Sequence, residues 1–218
     1  LTMAAKKKII LIDDHPVMRL GLQQLIIAEK DLEVIAQAGC AAEAMEAIRK
    51  KIPDLAIIDI TLPDKNGLEL VKDLRSMYED LTILMVSMHD ENLYAERALR
   101  AGARGYIMKE AAAESLIEAI RVVLGGGVFV SKAMSKRIVE IFSGKSHSTA
   151  ATPLEKLTDR ELEVFELIGN GLGSKEIAGK LHVSPRTIDA HRAHIKEKLH
   201  LRDAHDLIRH AVKWVESR

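Results

Sequence analysis

Five times between residues 8 and 125 a short apolar run is followed by a longer amphipathic stretch. The apolar runs are 8–12, 33–37, 55–59, 82–87 and 104–107, and helical periodicity covers 17–29, 41–51, 67–77, 92–101 and 113–124. Strands that are apolar along their whole length must be covered on both faces. A chain that alternates strand with helix achieves this by right-handed crossovers onto a parallel sheet. The expected fold of this part is therefore α/β, a doubly wound five-stranded parallel sheet. Its strands all end on one edge, so Asp13, Asp14, Asp59, Ser87 and the residues after Ile107 should face one crevice.

The pattern changes after Gly125, Gly126 and Gly127, which break the fifth helix. A polar stretch rich in Gly, Ser and Thr runs to Pro153, with one possible short helix over 131–142. Beyond it every segment is helical: 159–169, 174–181, 185–199 and 203–216. Thr158 and Glu161 form a capping-box pair, and Ser184 before Pro185 gives an N-cap with proline at the first helical position. The expected organisation is an α/β domain over 6–125, a linker over 126–153 and a second, smaller all-α domain over 154–218.

With 47% apolar and 29% charged residues the chain has the composition of a folded globular protein. Basic and acidic residues both number 32, so any nucleic-acid surface has to be local. Cys40 is the single cysteine, which excludes an intramolecular disulfide and a cysteine-based zinc site and fits a reducing compartment. The apolar run after Lys6, Lys7 and Lys8 is shorter than the roughly 7 to 15 residues of a signal peptide. No window reaches the roughly 18 apolar residues of a membrane span. A cytoplasmic protein without a membrane partner is expected.

Three carboxylates and one ammonium converge at the strand ends: Asp13, Asp14, Asp59 and Lys109. Hard oxygen ligands suit Mg²⁺, which takes one or two protein carboxylates and leaves room for phosphate oxygens. In-line phosphoryl transfer needs a nucleophile, a divalent ion and a fixed cation, and Asp59, Mg²⁺ and Lys109 match these needs. The Ser87 hydroxyl is placed to report the arrival of a phosphoryl group. Thr61 and His89, each two residues beyond Asp59 and Ser87, should flank that group and control the approach of water. His15 follows the acidic pair, but its place at the start of a helix reads more simply as a solvated first turn.

The Asp13-Asp14 pair, Asp59 followed by Leu62-Pro63 and Gly67, Ser87, and Tyr106-Ile107-Met108-Lys109 together resemble the receiver-domain signature of response regulators. The resemblance spans residues 7 to 124. It implies a flavodoxin-like strand order of 2-1-3-4-5 with Asp59 as phosphoacceptor. Asp13 or Asp14 and a main-chain carbonyl at Ile60 or Thr61 would hold the metal, Ser87 would be the switch hydroxyl, Tyr106 a rotating aromatic and Lys109 the phosphate-binding cation.

In 185–199 the positions Ile188, His191, Ile195 and Leu199 recur at helical spacing and should face a core. The other face carries Arg186, Thr187, Asp189, Arg192, Lys196 and Lys198. The helix before it is joined by a short turn at 182–184, which is a helix-turn-helix layout whose second helix enters the major groove. The pattern from Leu157-Thr158 through Arg160-Glu161, Glu176-Ile177-Ala178, Val183-Ser184, Thr187-Ile188 and His191 to Lys198-Leu199 resembles the LuxR-type domain. With the receiver pattern before it, the whole chain resembles the NarL/FixJ class. Thr187 and Lys196 are the candidates for phosphate, and Arg186 is a further candidate for contact with DNA. Asp189, Ala190, Arg192 and Ala193 are the candidates for the groove. Some members carry a basic residue where this chain has Asp189, which could accept a cytosine amino hydrogen or orient Arg192. Spaced at i and i+3 without a carboxylate pattern, His191 and His194 do not read as zinc ligands.

The expectation is a two-component response regulator, not an enzyme, phosphorylated by a histidine kinase and binding promoter DNA as a homodimer once activated. The apolar stripe Leu207, Ile208, Ala211, Val212 and Val215 on the last helix could serve that pairing or pack within its own domain. Two other classes share some features. An aspartyl-phosphate phosphotransferase or phosphatase would need a second catalytic acid and a substrate-covering cap, neither of which is apparent. A protein-interaction adaptor would show no salt-dependent DNA binding.

Overall fold

The structure is a computed structural model and describes residues 5–136 and 153–216. The chain divides into two compact units, 1–145 and 146–218. In the first, β1 (Lys7–Ile12), β2 (Leu32–Ala38), β3 (Leu55–Ile58), β4 (Thr82–Ser87) and β5 (Gly105–Met108) form one parallel sheet of order β2-β1-β3-β4-β5. The helices α1 (Pro16–Ile27), α2 (Ala41–Lys50), α3 (Gly67–Met77), α4 (Glu91–Ala101) and α5 (Ala112–Leu124) cover its faces. This is the strand order implied by the resemblance.

The apolar runs form strands because only a central position hides both of their faces. Ile9, Ile10, Leu11, Ile12 and all of Leu55 to Ile58 are buried. Each such side chain taken from water contributes about 2 kcal/mol before the entropy of ordering is counted. One core cluster joins Ile9, Leu11, Ile57, Leu84 and Val86 of the sheet to Leu22 and Ile26 of α1 and Leu116, Ile120 and Val123 of α5.

Helix ends lie where short polar side chains can replace the missing intrahelical partners. Asn66 accepts from the Leu68 amide at the start of α3, and Asp90 accepts from the Asn92 amide at the start of α4. Gly102 ends α4 at φ 109°, a left-handed conformation that favours glycine. Several boundaries differ from the sequence expectation by a residue or two. β3 stops at Ile58, leaving Asp59 just beyond the ladder, and β5 runs from Gly105 to Met108.

Part of the stretch 126–153, read from sequence as a linker, is tied to the sheet. The Tyr106 amide donates to the Phe129 carbonyl at 2.9 Å and the Phe129 amide to the Arg104 carbonyl at 3.0 Å, which continues the ladder beyond β5. The Ser131 amide donates to Glu91 Oε1 at 2.7 Å, and Met134 is buried. Backbone pairing on a free sheet edge needs no particular side chain, so composition carries no sign of it. Residues 132–136 are helical, and the remainder of the helix expected over 131–142 lies outside the described residues.

The second unit contains α6 (Asp159–Gly169), α7 (Ser174–Lys180), α8 (Pro185–Lys198) and α9 (Ala204–Glu216). The capping box is present, with the Thr158 side chain accepting from the Glu161 amide and Glu161 returning to the Thr158 amide. Leu162, Phe165, Ile168, Ile177, Leu181, Ile188, Ile195, Leu207 and Ala211 are among the buried apolar residues of this unit. Phe165 and Trp214 bring their rings to 5.4 Å. A Cβ at Gly169 would lie 2.5 Å from the Ala211 carbonyl oxygen, so glycine there permits α6 and α9 to approach. Between α7 and α8 the chain turns through His182 at φ 51°.

Candidate functional site

Parallel strands present their C-terminal ends on one edge, where the main chain leaves the ladder and side chains gain room. Asp13 follows β1, Asp59 follows β3, Ser87 ends β4 and Lys109 follows β5. All four are buried. Lys109 Nζ lies 2.7 Å from Asp59 Oδ2 and 2.7 Å from Asp13 Oδ2, so one ammonium is shared by two carboxylates. Ser87 Oγ donates to Asp59 Oδ1 at 2.7 Å, and the Ile60 amide donates to the same oxygen at 2.6 Å. Four of the sequence candidates, Asp13, Asp59, Ser87 and Lys109, are therefore within one cluster.

Electrostatics set these groups apart. Burial raises the Asp59 pKa above its ordinary value and the neighbouring Asp13 pushes the same way, while Lys109 and Ser87 pull it down without prevailing. Burial works against the Lys109 ammonium too, but Asp59 and Asp13 together outweigh it and hold the lysine above its ordinary value. The two shifts are compatible because the lysine answers to two carboxylates and each carboxylate to one lysine.

Asp14 stands at the rim, 29% of its side chain exposed. Its Oδ1 is buried and makes no hydrogen bond, although His15 Nδ1 lies 2.7 Å from it. Asp13, Asp14, His15 and Asp59 can each bring one ligand atom within 4.8 Å of the others, an acidic cluster compatible with a divalent metal. His15 is the N-cap residue of α1, as read from sequence, yet it also leans on both carboxylates. Of the two candidate carbonyls, that of Ile60 accepts from the Gly67 amide at 2.6 Å and is turned into the following loop, so Thr61 is the better candidate for the metal. That loop is tight: a Cβ at Gly67 would sit 2.0 Å from the Asp59 carbonyl oxygen.

Around this centre Tyr106 is buried, and its hydroxyl donates to the His89 carbonyl at 2.6 Å. Thr61 Oγ1 and His89 Nε2 are 3.0 Å apart, and the His89 ring meets that of Tyr94 at 4.6 Å. His89 thus touches both the residue beside the acid cluster and the buried tyrosine. Sequence reasoning paired Thr61 with His89 but missed the link to Tyr106, which runs through a main-chain carbonyl. Arg19 was also missed. Its Nη1 donates to the Asp13 carbonyl, beyond the last β1–β2 ladder bond, and no sequence spacing points to such a contact.

In the second unit, Ile188 and Ile195 of α8 are buried, while Arg186, Thr187, Asp189, Ala190 and Ala193 are exposed and Arg192 and Lys196 half-buried. The apolar and polar faces fall as the periodicity requires. Thr187 is engaged at the helix start, where Ser184 Oγ accepts from its amide at 3.1 Å and lies 2.8 Å from its hydroxyl. Lys198 leaves the polar face to pair with Glu161 at 2.6 Å. The Asp189 carboxylate accepts from Ser174 Oγ of α7 at 2.8 Å. His191 is half-buried, and burial with the nearby Arg160 lowers its pKa.

A phosphate-ready acid cluster on a 2-1-3-4-5 parallel sheet, followed in one chain by a helix-turn-helix unit, defines a DNA-binding response regulator. Residues 9–121 match the response regulator receiver domain family, and residues 155–211 match the bacterial regulatory proteins of the luxR family; the chain belongs to the response regulators that carry both domains. It is 36% identical over 210 residues to the oxygen regulatory protein NreC of Staphylococcus carnosus and 37% identical over 210 residues to that of Staphylococcus aureus. Both comparisons cover 94% of this chain and 97% of the relative. A crystal structure of a LuxR-family two-component response regulator from Aurantimonas sp. is similar with a TM-score of 0.59 and 33% identity, over 64% of this chain and 99% of that one. The Salmonella typhimurium RcsB response regulator shares the fold, with a TM-score of 0.69 at 21% identity over 96% of this chain and 98% of that one.

Proposed function

We propose that Asp59 is the phosphoacceptor of this response regulator and that its phosphorylation by a histidine kinase controls binding of the second unit to promoter DNA. The carrying observation is the convergence of Ser87 Oγ and Lys109 Nζ on the two Asp59 oxygens, each at 2.7 Å. A carboxylate oxygen of Asp59 attacks the donor phosphorus, the bond to the donor breaks on the opposite side, and a mixed anhydride forms. Lys109 then faces a phosphoryl oxygen where it had faced a carboxylate. Ser87 loses its acceptor on Asp59 and turns its hydroxyl to the new group. Thr61 and His89 at the rim limit the approach of water.

The donor set fits a hard cation, because oxygens of Asp13, Asp14 and Asp59 lie together and the buried Asp14 Oδ1 has no hydrogen bond of its own. We assign Mg²⁺ to Asp13, Asp14, Asp59 and the Thr61 carbonyl. When bound it supplies positive charge against the phosphoryl oxygens.

We further propose that Tyr106 carries the change from the acid cluster to the surface near α4, since its hydroxyl bonds the loop that holds His89. Arg186, Thr187 and Lys196 meet DNA phosphates, while Asp189, Ala190, Arg192 and Ala193 enter the groove. The active form is a homodimer, the chain works in the cytoplasm, and it turns over no substrate of its own.

Labelled acetyl phosphate tests the acceptor. With Mg²⁺ the wild type should take up one phosphate per chain, stable in acid and labile in base, and Asp59→Asn none. Equal labelling of the two proteins removes Asp59 from the scheme, and repeated turnover of simple phosphoesters marks an enzyme instead.

A further inference from the structure

We infer that Asp189 is a base-selecting residue of α8 and that it chooses cytosine in the major groove. The inference rests on the reading that α8 is the groove-entering helix. On a helix turning 100° per residue, Arg186, Asp189, Ala190, Ala193 and Glu197 share the face opposite the buried Ile188 and Ile195. All five are exposed. That face offers little to phosphates: it carries one guanidinium, two carboxylates and two methyl groups. Its chemistry is that of base reading.

The geometry fixes which chemistry. Ser174 Oγ, at the start of the preceding helix, donates to Asp189 Oδ1 at 2.8 Å. Oδ2 makes no hydrogen bond among the described residues, and Arg192, one turn on, is not paired with the carboxylate. The exposed side chain is therefore held by its neighbour helix and keeps one carboxylate oxygen without a partner among the described residues. A lone anionic acceptor seeks a donor. Cytosine presents its N4 amino group in the major groove and no acceptor of its own there, whereas adenine sets N7 next to its amino group, guanine offers N7 and O6, and thymine O4. The expected order is cytosine first, adenine second, thymine and guanine last. Ala190 and Ala193 are short enough to let the backbone approach, and their methyls match a thymine methyl. A cytosine flanked by thymine in each half-site follows.

Selection from random duplexes by the full-length protein, phosphorylated with acetyl phosphate and Mg²⁺, tests this. A cytosine should be enriched at one position of the half-site, and its replacement by thymine or guanine should weaken binding about tenfold. Asp189→Asn keeps an oxygen for Ser174 but turns an amide outward, and asparagine pairs with adenine. It should move the preference at that position from cytosine to adenine while leaving the melting temperature unchanged. Ser174→Ala keeps the carboxylate but frees it, so cytosine stays preferred with less discrimination. If Asp189→Asn selects the wild-type sequence with the same affinities across all four bases, Asp189 does not read a base. If the wild type shows no salt-dependent DNA binding at all, the groove-entering role of α8 itself falls, and the two failures are distinguishable.

Discussion

At the scale of single residues, the acid cluster sets function against stability. In its proposed role Asp59 attacks phosphorus as an anion, yet burial and Asp13 raise its pKa above 3.8. An acid whose native pKa exceeds its unfolded value binds protons more readily when folded. Its stabilising share is complete below pH 3.8 and is lost as pH rises through the native pKa. Asp59→Asn removes that loss and leaves Lys109 paired with Asp13. Without Mg²⁺ at neutral pH the variant should therefore melt higher, by about 1 kcal/mol or roughly 4 °C in the receiver transition followed by calorimetry. The gain should shrink as pH falls toward 3.8. A variant that melts lower at neutral pH would mean that the Asp59–Lys109 attraction outweighs the burial cost.

The same scale shows what could be read from sequence and what could not. Asp13, Asp14, Asp59, Ser87 and Lys109 were legible because a parallel sheet sends every strand end to one edge, whatever its loops do. Arg19 was not, because its partner is the Asp13 main-chain carbonyl, and a carbonyl leaves no trace in side-chain identity. The sequence left open the Ile60 and Thr61 carbonyls for the same reason; the Gly67 amide donates to that of Ile60, which favours Thr61 in the proposed site.

At the scale of elements, helix periods and caps located α1 to α9 to within a residue or two, since α6 and α8 begin at Thr158 and Ser184 caps written in the sequence. The pairing of Phe129 with β5 was invisible, because ladder bonds join backbone to backbone. Buried polar contacts brace α8. Glu161 closes the capping box of α6 and holds Lys198 of α8 at 2.6 Å, with 5% of its side chain exposed. Burial works to raise its pKa, but Lys198 and Thr158 outweigh it and the carboxyl stays below its ordinary value. Such a group stabilises above pH 4.5, and its contribution is lost as pH falls through the native pKa. Glu161→Ala should cost about 2 kcal/mol at neutral pH. The single tryptophan, Trp214, stacks near Phe165 in this unit, so its fluorescence reports the transition selectively. An unchanged Trp214 transition would show that α8 is held by its apolar side alone.

At the scale of the whole molecule, equal numbers of acidic and basic residues give no field that draws the chain to DNA. Affinity has to come from a local face, and the proposed switch, the buried acid cluster at Asp59, lies in the other unit. The direct measurement is the dissociation constant of the full-length protein for a selected promoter duplex at fixed salt, before and after treatment with acetyl phosphate and Mg²⁺, for the wild type beside Asp59→Asn. Phosphorylation should tighten wild-type binding about tenfold, an allosteric coupling of about 1.4 kcal/mol, and leave Asp59→Asn unmoved. Equal affinities for the treated and untreated wild type, or an equal gain in the variant, would contradict control of DNA binding by that carboxylate.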